Sequence, residues 1–184
     1  LADAMVSGVS RSYSSPIRTA LQIIGMQEGV RLTAGMYILT TPRGTFFFAD
    51  TTVNVNPSME DLIDITLLTA KTVRRFGIVP RIALLSYSNF GSNEGEEPDK
   101  MRDAAAYLHN HHPELIVDGE LQANFATNPE LLNEQFPFSS LASRGANTLI
   151  FPNLSAGNIA YKLIYELGDA EVIGPILLGL KKPM

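Results

Sequence analysis

Cysteine is absent from the 184 residues. Its absence excludes disulfides, thiolate metal sites and cysteine nucleophiles, and it fits a reducing compartment, so the expected location is cytoplasmic. Basic charge is scarce as well: 14 Lys and Arg stand against 19 Asp and Glu. No general field therefore attracts nucleic acid or anionic lipid, and any anion site must be local. Long apolar runs are missing. The longest, such as VIGPILLGL, is about half of the ~20 residues a membrane helix needs, and the first residues lack the basic-then-apolar pattern of a signal peptide. Internal repeats and low-complexity segments are lacking too. Together these absences predict a soluble protein with neither a nucleic-acid nor a membrane partner.

What is present is globular: 45% of the residues are apolar, and the length suits one substantial core, so residues 1–184 read as a single domain. The chain opens on Leu1 and closes on Lys181, Lys182, Pro183 and Met184, which predicts a fragment of a longer protein. Strand and helix patterns alternate along it. Ser15 and Pro16 open a helix whose apolar face is Ile17, Ala20, Leu21 and Ile24, ending near Gly25 or Gly29. GMYILT and TFFFAD, joined by TPRG, read as a strand pair. A long helix follows, capped by Ser58 with Glu60 and Asp61 at its start, Arg74 and Arg75 at its end, Gly77 as its stop, and a buried stripe of Met59, Leu62, Ile63, Thr66, Ala70 and Val73. RIALLSYS is a strand, PDKMRDAAAYLHNHHP a helix, ELIVDGE a short strand, and LQANFATNPELLNEQF a polar, helical stretch. The strand ANTLIFP, a helix from Ser155 to Leu167 and the strand-like tail VIGPILLG complete the chain. The fold class is α/β: a mostly parallel sheet flanked by helices, with one antiparallel pair near Gly44.

In open α/β sheets, ligands sit beyond the carboxyl ends of the strands, and small polar residues cluster at three such ends. They are Asp50, Thr51, Thr52 and Asn54; Ser86, Ser88, Asn89 and Ser92; and Asn153, Ser155 and Asn158. Either they line one crevice, or each merely satisfies turns and helix caps. After FPNL, a helix start without bulky side chains at Gly157 could expose N–H groups to a phosphate or carboxylate, with Lys162 as a nearby cation, or could simply be capped by Ser155. Ser7, Gly8, Arg11 and Arg18 precede or open the first helix, where cations oppose the dipole at a cost of a few tenths to about 1 kcal/mol unless an anion sits there. His109, His111 and His112 fall in a last helical turn, where the dipole favours histidine, and no carboxylate lies at a metal-binding spacing, so no metal site is expected. Asp118 and Glu120 could do acid–base work, but with no partner base or nucleophile nearby they read as turn carboxylates.

The segments ADAMVSG with IRTALQIIG, FADTTVNVNP, FGIVPRIALLSYS, VDGELQ, and FPNLSAGNIAYKLIYELGDAEVIGPILLGLKKP resemble, in that order, the phosphate acetyl/butyryltransferase family over essentially the whole chain. GMYILTTPRGTFFFADTTVN, SYSNFGS and FPFSSL are similar in particular to the phosphotransacetylase-like module at the C-terminus of large bacterial malic enzymes. The resemblance implies a two-lobed phosphotransacetylase fold, related to isocitrate and isopropylmalate dehydrogenases, of which this chain supplies most of one lobe. It implies that Ser7, Gly8 and Arg18 match the family's Ser-Gly and helix-opening arginine on the acyl-phosphate side of the cleft. Asn153 and Asn158 match positions at a strand-to-helix turn where many transferases carry Asp first. In active transferases a Ser-Arg pair and then an Asp follow the GLxKP segment, which here runs into Met184.

The function so implied is that of a regulatory and oligomerising module that senses acetyl-CoA, joined to an N-terminal half that oxidatively decarboxylates malate to pyruvate with NADP or NAD and a divalent metal. This chain alone carries no cofactor and no catalytic residue under that reading, and a homo-oligomer is expected. The candidate ligand residues are Ser7, Gly8, Arg11, Arg18, Thr52, Asn54, Ser86, Ser88, Asn153, Asn158 and Lys162. Two alternatives stay open: part of a catalytic phosphate acetyltransferase, and a purely structural dimerisation lobe.

Overall fold

The structure is a computed structural model and describes residues 4–6, 19 and 21–182. The helix expected from Ser15 therefore falls mostly outside the described residues. Its end is seen: Leu21, Gln22 and Ile23 are helical, and Gly25 turns the chain at φ +74°.

Strands β1 (Ala34–Thr41) and β2 (Gly44–Ala49) form the expected hairpin, with Thr41 opposite Gly44. Helix α1 (Met59–Arg75) follows, then β3 (Arg81–Leu85), α2 (Glu96–His111) and β4 (Ile116–Leu121). The polar stretch splits into two short helices, α3 (Ala123–Thr127) and α4 (Pro129–Gln135). The division falls where Asn128 caps α4 through Leu131 N–H and Pro129 supplies a first helical residue with no N–H to lose. Strand β5 (Thr148–Ile150), α5 (Leu154–Leu167) and β6 (Glu171–Leu178) follow.

Among the described residues six strands join one sheet in the order β4-β3-β5-β2-β1-β6. β2, β5, β3 and β4 are neighbours paired in parallel. The expected single antiparallel pair becomes two, because β6 returns along the outer side of β1. β1 alone runs against the other five strands. The β1–β6 register shifts between Met36 and Ile38, beside Gly174, where a Cβ would meet the Tyr37 ring at 2.7 Å.

Both faces of the sheet are covered, which explains why its strands read as continuous apolar runs. Side chains alternate: Phe47, Ile82, Leu84 and Ile150 turn to one face, under α1 and α2, while Phe48, Ala83, Leu85 and Leu149 turn to the other. On the first face Leu62, Ile65 and Val73 of α1 and Met101 and Leu108 of α2 are wholly buried. On the second, Ala126 and Leu132 of the short helices and Leu141 complete the core, with α5 packed beside them through Ala156, Ala160, Tyr161 and Ile164. The α1 stripe is as expected but wider, since Ile65, Leu68 and Thr69 are buried too, while Met59 is only partly so.

Two helix starts differ from expectation. α2 begins at Glu96, before Pro98, because a proline in the first turn sacrifices no intrahelical bond. α5 is capped by Asn153, whose Oδ1 accepts Ala156 N–H at 2.9 Å; Ser155 lies inside the helix. Asn153 takes the role because it is the last extended residue before the helix, at φ −160° and ψ 167°.

The start of α1 is closed reciprocally: Asp61 N–H donates to Ser58 Oγ at 3.2 Å, and Ser58 N–H donates to Asp61 Oδ2 at 3.1 Å. Ser58→Ala should lower stability by about 1 kcal/mol. Calorimetry of the variant should show a melting temperature lower by about 2–4 °C; an unchanged midpoint would mean that the acidic first turn holds the helix without its cap.

Candidate functional site

The parallel run β2-β5-β3-β4 places four strand ends on one edge of the sheet, the edge where open α/β sheets bind ligands. The three polar clusters read from the sequence are thereby brought together, and the loops that carry them are tied to one another. Asn158 Nδ2 donates to the Thr51 carbonyl at 3.3 Å, joining α5 to the loop after β2. Asn153 Nδ2 donates to Glu97 Oε2 at 3.3 Å, joining the same turn to α2. Lys100 Nζ donates to the carbonyls of Pro57 at 2.9 Å and Pro152 at 3.3 Å, and to Asn56 Oδ1 at 3.3 Å. Its charge is thus engaged in holding two loops.

The geometry of the β2 end follows from Asp50, which is 2% exposed. Its Oδ1 accepts the N–H groups of Gly35 at 2.9 Å, Thr52 at 2.9 Å and Val53 at 3.2 Å. Its Oδ2 accepts Asn54 N–H at 2.8 Å and Asn54 Nδ2 at 2.5 Å. Asn54 Nδ2 also reaches the Thr33 carbonyl at 2.9 Å, so this candidate ligand residue is partly committed to structure. Two glycines let the elements close in. A Cβ on Gly35 would stand 1.7 Å from Thr52 Oγ1, and a Cβ on Gly157 would stand 2.6 Å from the Asp50 carbonyl oxygen. Gly157 thus serves the close seating of α5 on the β2 end. Of the helix's first N–H groups, that of Ala156 is taken by Asn153.

Asp118 and Glu120 are not turn carboxylates. Both lie within β4 and are buried, at 6% and 0% exposure. Asp118 Oδ2 accepts Ser139 Oγ at 2.7 Å and Ser140 N–H at 2.9 Å. Glu120 Oε1 accepts Ser88 Oγ at 2.8 Å and Gly91 N–H at 2.6 Å, with Arg102 Nη1 at 3.8 Å; its Oε2 has no hydrogen-bond partner. Arg102 also pairs with Asp99, and that hydrogen bond raises its pKa above the ordinary arginine value. Ser88 is consequently wholly buried and turned toward Glu120, while Ser86 is half-buried and its Oγ accepts Ser88 N–H at 3.3 Å. Glu120 was missed as an organiser because its partners, Ser88 and Gly91, lie 32 and 29 residues away in the sequence.

Lys162 is not at this edge. It lies eight residues beyond Leu154, about 12 Å along α5, with Nζ 5.3 Å from the centre of the Tyr161 ring. Ser7, Gly8, Arg11 and Arg18 lie outside the described residues. The three histidines go separate ways: His109 Nε2 to the Val117 carbonyl at 2.6 Å, His111 Nδ1 to the Tyr107 carbonyl at 3.0 Å, and His112 Nδ1 to Glu114 at 3.5 Å. Among the described residues no group of three or more His, Asp or Glu is placed to hold a metal ion. What the edge presents is a set of hydroxyl, amide and backbone groups around Thr52, Asn54, Ser86, Asn153 and Asn158, suited to binding a polar ligand.

Asp50→Asn keeps the shape but turns an acceptor into a donor facing buried N–H groups. We expect a loss of at least about 2 kcal/mol, seen as a fall of about 4–8 °C in the melting temperature of the 184-residue chain. A shift under one degree would show that water replaces the lost acceptor.

The phosphate acetyl/butaryl transferase family model matches residues 1–184. The phosphate acetyltransferase of Bacillus subtilis is 41% identical over 184 residues, all of this chain and 57% of that protein. The NADP-dependent malic enzyme of Haemophilus influenzae is 41% identical over 181 residues, 98% of this chain and 24% of that protein. A phosphotransacetylase from Streptococcus pyogenes of known structure superposes with a TM-score of 0.91 at 41% identity, over 99% of this chain and 56% of that one. The chain thus spans a little over half the length of the Bacillus subtilis transferase and about a quarter of the Haemophilus influenzae malic enzyme. The order of elements, the polar carboxyl edge and a family match over the full length agree: this chain belongs to the phosphate acetyl/butaryl transferase family.

Proposed function

We propose that this chain is the phosphotransacetylase-like regulatory and oligomerising module of a malic enzyme, binding acetyl-CoA or a related acyl-CoA or acyl phosphate at the carboxyl edge of its sheet. The observation that carries the reading is the state of the two buried carboxylates there. Asp50 commits both oxygens to neighbouring N–H groups and Glu120 is sealed from solvent. Neither is open to a substrate: Asp50 is ringed by N–H donors, and Glu120 is held by Ser88, Gly91 and the Arg102 guanidinium, which supports binding in preference to proton transfer. Support for the oligomer comes from α5, where Ile159, Leu163 and Leu167 are 56%, 52% and 83% exposed. Apolar groups of this size along one helix favour burial against another protein surface. The parent protein would act on malate in the cytoplasm with NADP or NAD and a divalent metal, none of which this chain holds. Its effector would act through a coupling of about 1–3 kcal/mol between the two halves.

A second reading, a catalytic phosphate acetyltransferase, is favoured by the 41% identity to the Bacillus subtilis enzyme across the whole of this chain. The full protein separates them. Under the regulatory reading, millimolar acetyl-CoA raises the thermal midpoint and changes malate-dependent NAD(P) reduction about 5-fold or more, and acetyl phosphate is not formed from acetyl-CoA and phosphate. Acetyl phosphate formation without malate oxidation would establish the transferase reading instead. No shift and no change in either rate would leave a structural lobe.

A further inference from the structure

The opposite edge of the sheet carries a second, cationic cavity. There the β1–β2 turn, the first residue of β3 and the loop before β5 bring Arg43, Arg81 and Arg144 around a space of about 450 Å³. Two of these arginines are oriented by neutral acceptors: Arg81 Nε donates to the Gly145 carbonyl at 2.8 Å, and Arg43 Nη2 donates to the Thr127 carbonyl at 2.8 Å. Neither contact offsets a charge. Glu130 is the acidic residue in the cavity wall, and among the described residues no ion pair joins any of the three arginines to a carboxylate. Burial and then the Arg144 charge lower the Arg81 pKa below the ordinary arginine value. A half-buried guanidinium beside a second one is unfavourable unless an anion lies between them. In a chain of net charge −5, this clustering is local.

A second chamber of about 410 Å³ adjoins the first and shares Arg43, Phe46 and Thr127 in its wall. Its remaining lining is largely apolar, with Leu39, Phe48, Leu149 and Ile164 prominent and Asp169 as its acidic residue. Charge at one end and apolar surface at the other are therefore contiguous. Each chamber is in the size range of small-molecule sites. Arg81 opens β3 and Ser86 follows its last residue, about 17 Å away at the rise of a strand, so this cavity is separate from the carboxyl edge.

We propose that this double cavity binds an amphipathic anion, with a phosphate or carboxylate head held by Arg81, Arg144 and Arg43 and an alkyl or acyl chain in the apolar chamber. Guanidinium forks suit such heads because they donate in parallel pairs, and the chain gains by leaving water.

Titration calorimetry on the full protein tests this with inorganic phosphate, butyl phosphate and octyl phosphate as probes. Octyl phosphate should bind saturably, at least about tenfold more tightly than inorganic phosphate, with butyl phosphate between them. Arg144→Gln, at an exposed position whose side chain makes no hydrogen bond or ion pair among the described residues, should weaken octyl phosphate about tenfold or more. Arg81→Lys, which keeps the charge and loses the fork, should weaken it less. Asn158→Ala, at the carboxyl edge, should leave the affinity unchanged. Equal affinities for all three probes, or full affinity in Arg144→Gln, would overturn the proposal. Loss of binding in Asn158→Ala with none in Arg144→Gln would assign the probe to the carboxyl edge and overturn it as well. The result is independent of any acetyl-CoA response, so this site and the proposed function stand or fall separately.

Discussion

One buried carboxylate fixes the shape of the sheet's carboxyl edge. Asp50 sits where β2 ends and gathers the N–H of Gly35 from the start of β1, the N–H groups of Thr52, Val53 and Asn54 from the loop, and the Asn54 side chain. A loop leaving a buried strand carries several N–H groups that neither sheet nor water can satisfy. A single carboxylate satisfies them all and forces the loop to fold back over its own strand. Charge burial is expensive on its own, and here it is offset by the number of donors that converge on the charge. Thr51 adds to the closure by donating N–H to the Gly35 carbonyl at 3.2 Å.

From that point the rest of the edge is assembled by contact. α5 approaches the Asp50 carbonyl because Gly157 has no side chain to prevent it, and Asn158 bonds the Thr51 carbonyl one residue further on. Asn153 caps α5 with one end of its amide and reaches Glu97 of α2 with the other. Lys100 of α2 closes the ring by holding the Pro57 and Pro152 carbonyls. Glu120 does for the β3–α2 loop what Asp50 does for the β2 loop, through Ser88 and Gly91. Two buried acids, one on an outer strand and one near the middle of the sheet, thus pin the two polar loops that face each other across β5.

Most of the architecture was legible because it is written in periodicity and caps. The Ser58 capping box, the α1 stripe and the TPRG hairpin all follow from local pattern, and so does the convergence of polar strand ends once the sheet is taken as parallel. What escaped was non-local. The placement of β6 against β1 depends on pairing across more than a hundred residues, which no local pattern encodes. Glu120 read as a turn acid because no partner stood near it in the sequence, whereas Ser88 and Gly91 meet it from the loop after β3; Gly119 lets β4 close on β3, since a Cβ there would press on the Leu84 carbonyl at 2.7 Å. Lys162 was misplaced by counting from the strand and not along the helix, whose rise carries it away from the edge. The arginines of the far edge escaped because their sequence positions, 43, 81 and 144, share no motif.

The two edges of the sheet therefore do different electrostatic work. At the carboxyl edge Lys100 is engaged by three oxygens and Arg102 by Asp99 and Glu120. Around Thr52, Asn54, Ser86, Asn153 and Asn158 the edge presents neutral donors whose positions are set by backbone approach. At the amino edge the arginines meet carbonyls and one another. A parallel sheet has no strong dipole of its own to favour one arrangement over the other, so the asymmetry comes from the side chains. Charges that are unpaired and only partly shielded feel added salt within a Debye length of about 8–10 Å, whereas a carboxylate enclosed by N–H groups does not. Ionic strength therefore acts on the amino edge first, and the geometry that Asp50 imposes on the carboxyl edge is insulated from it.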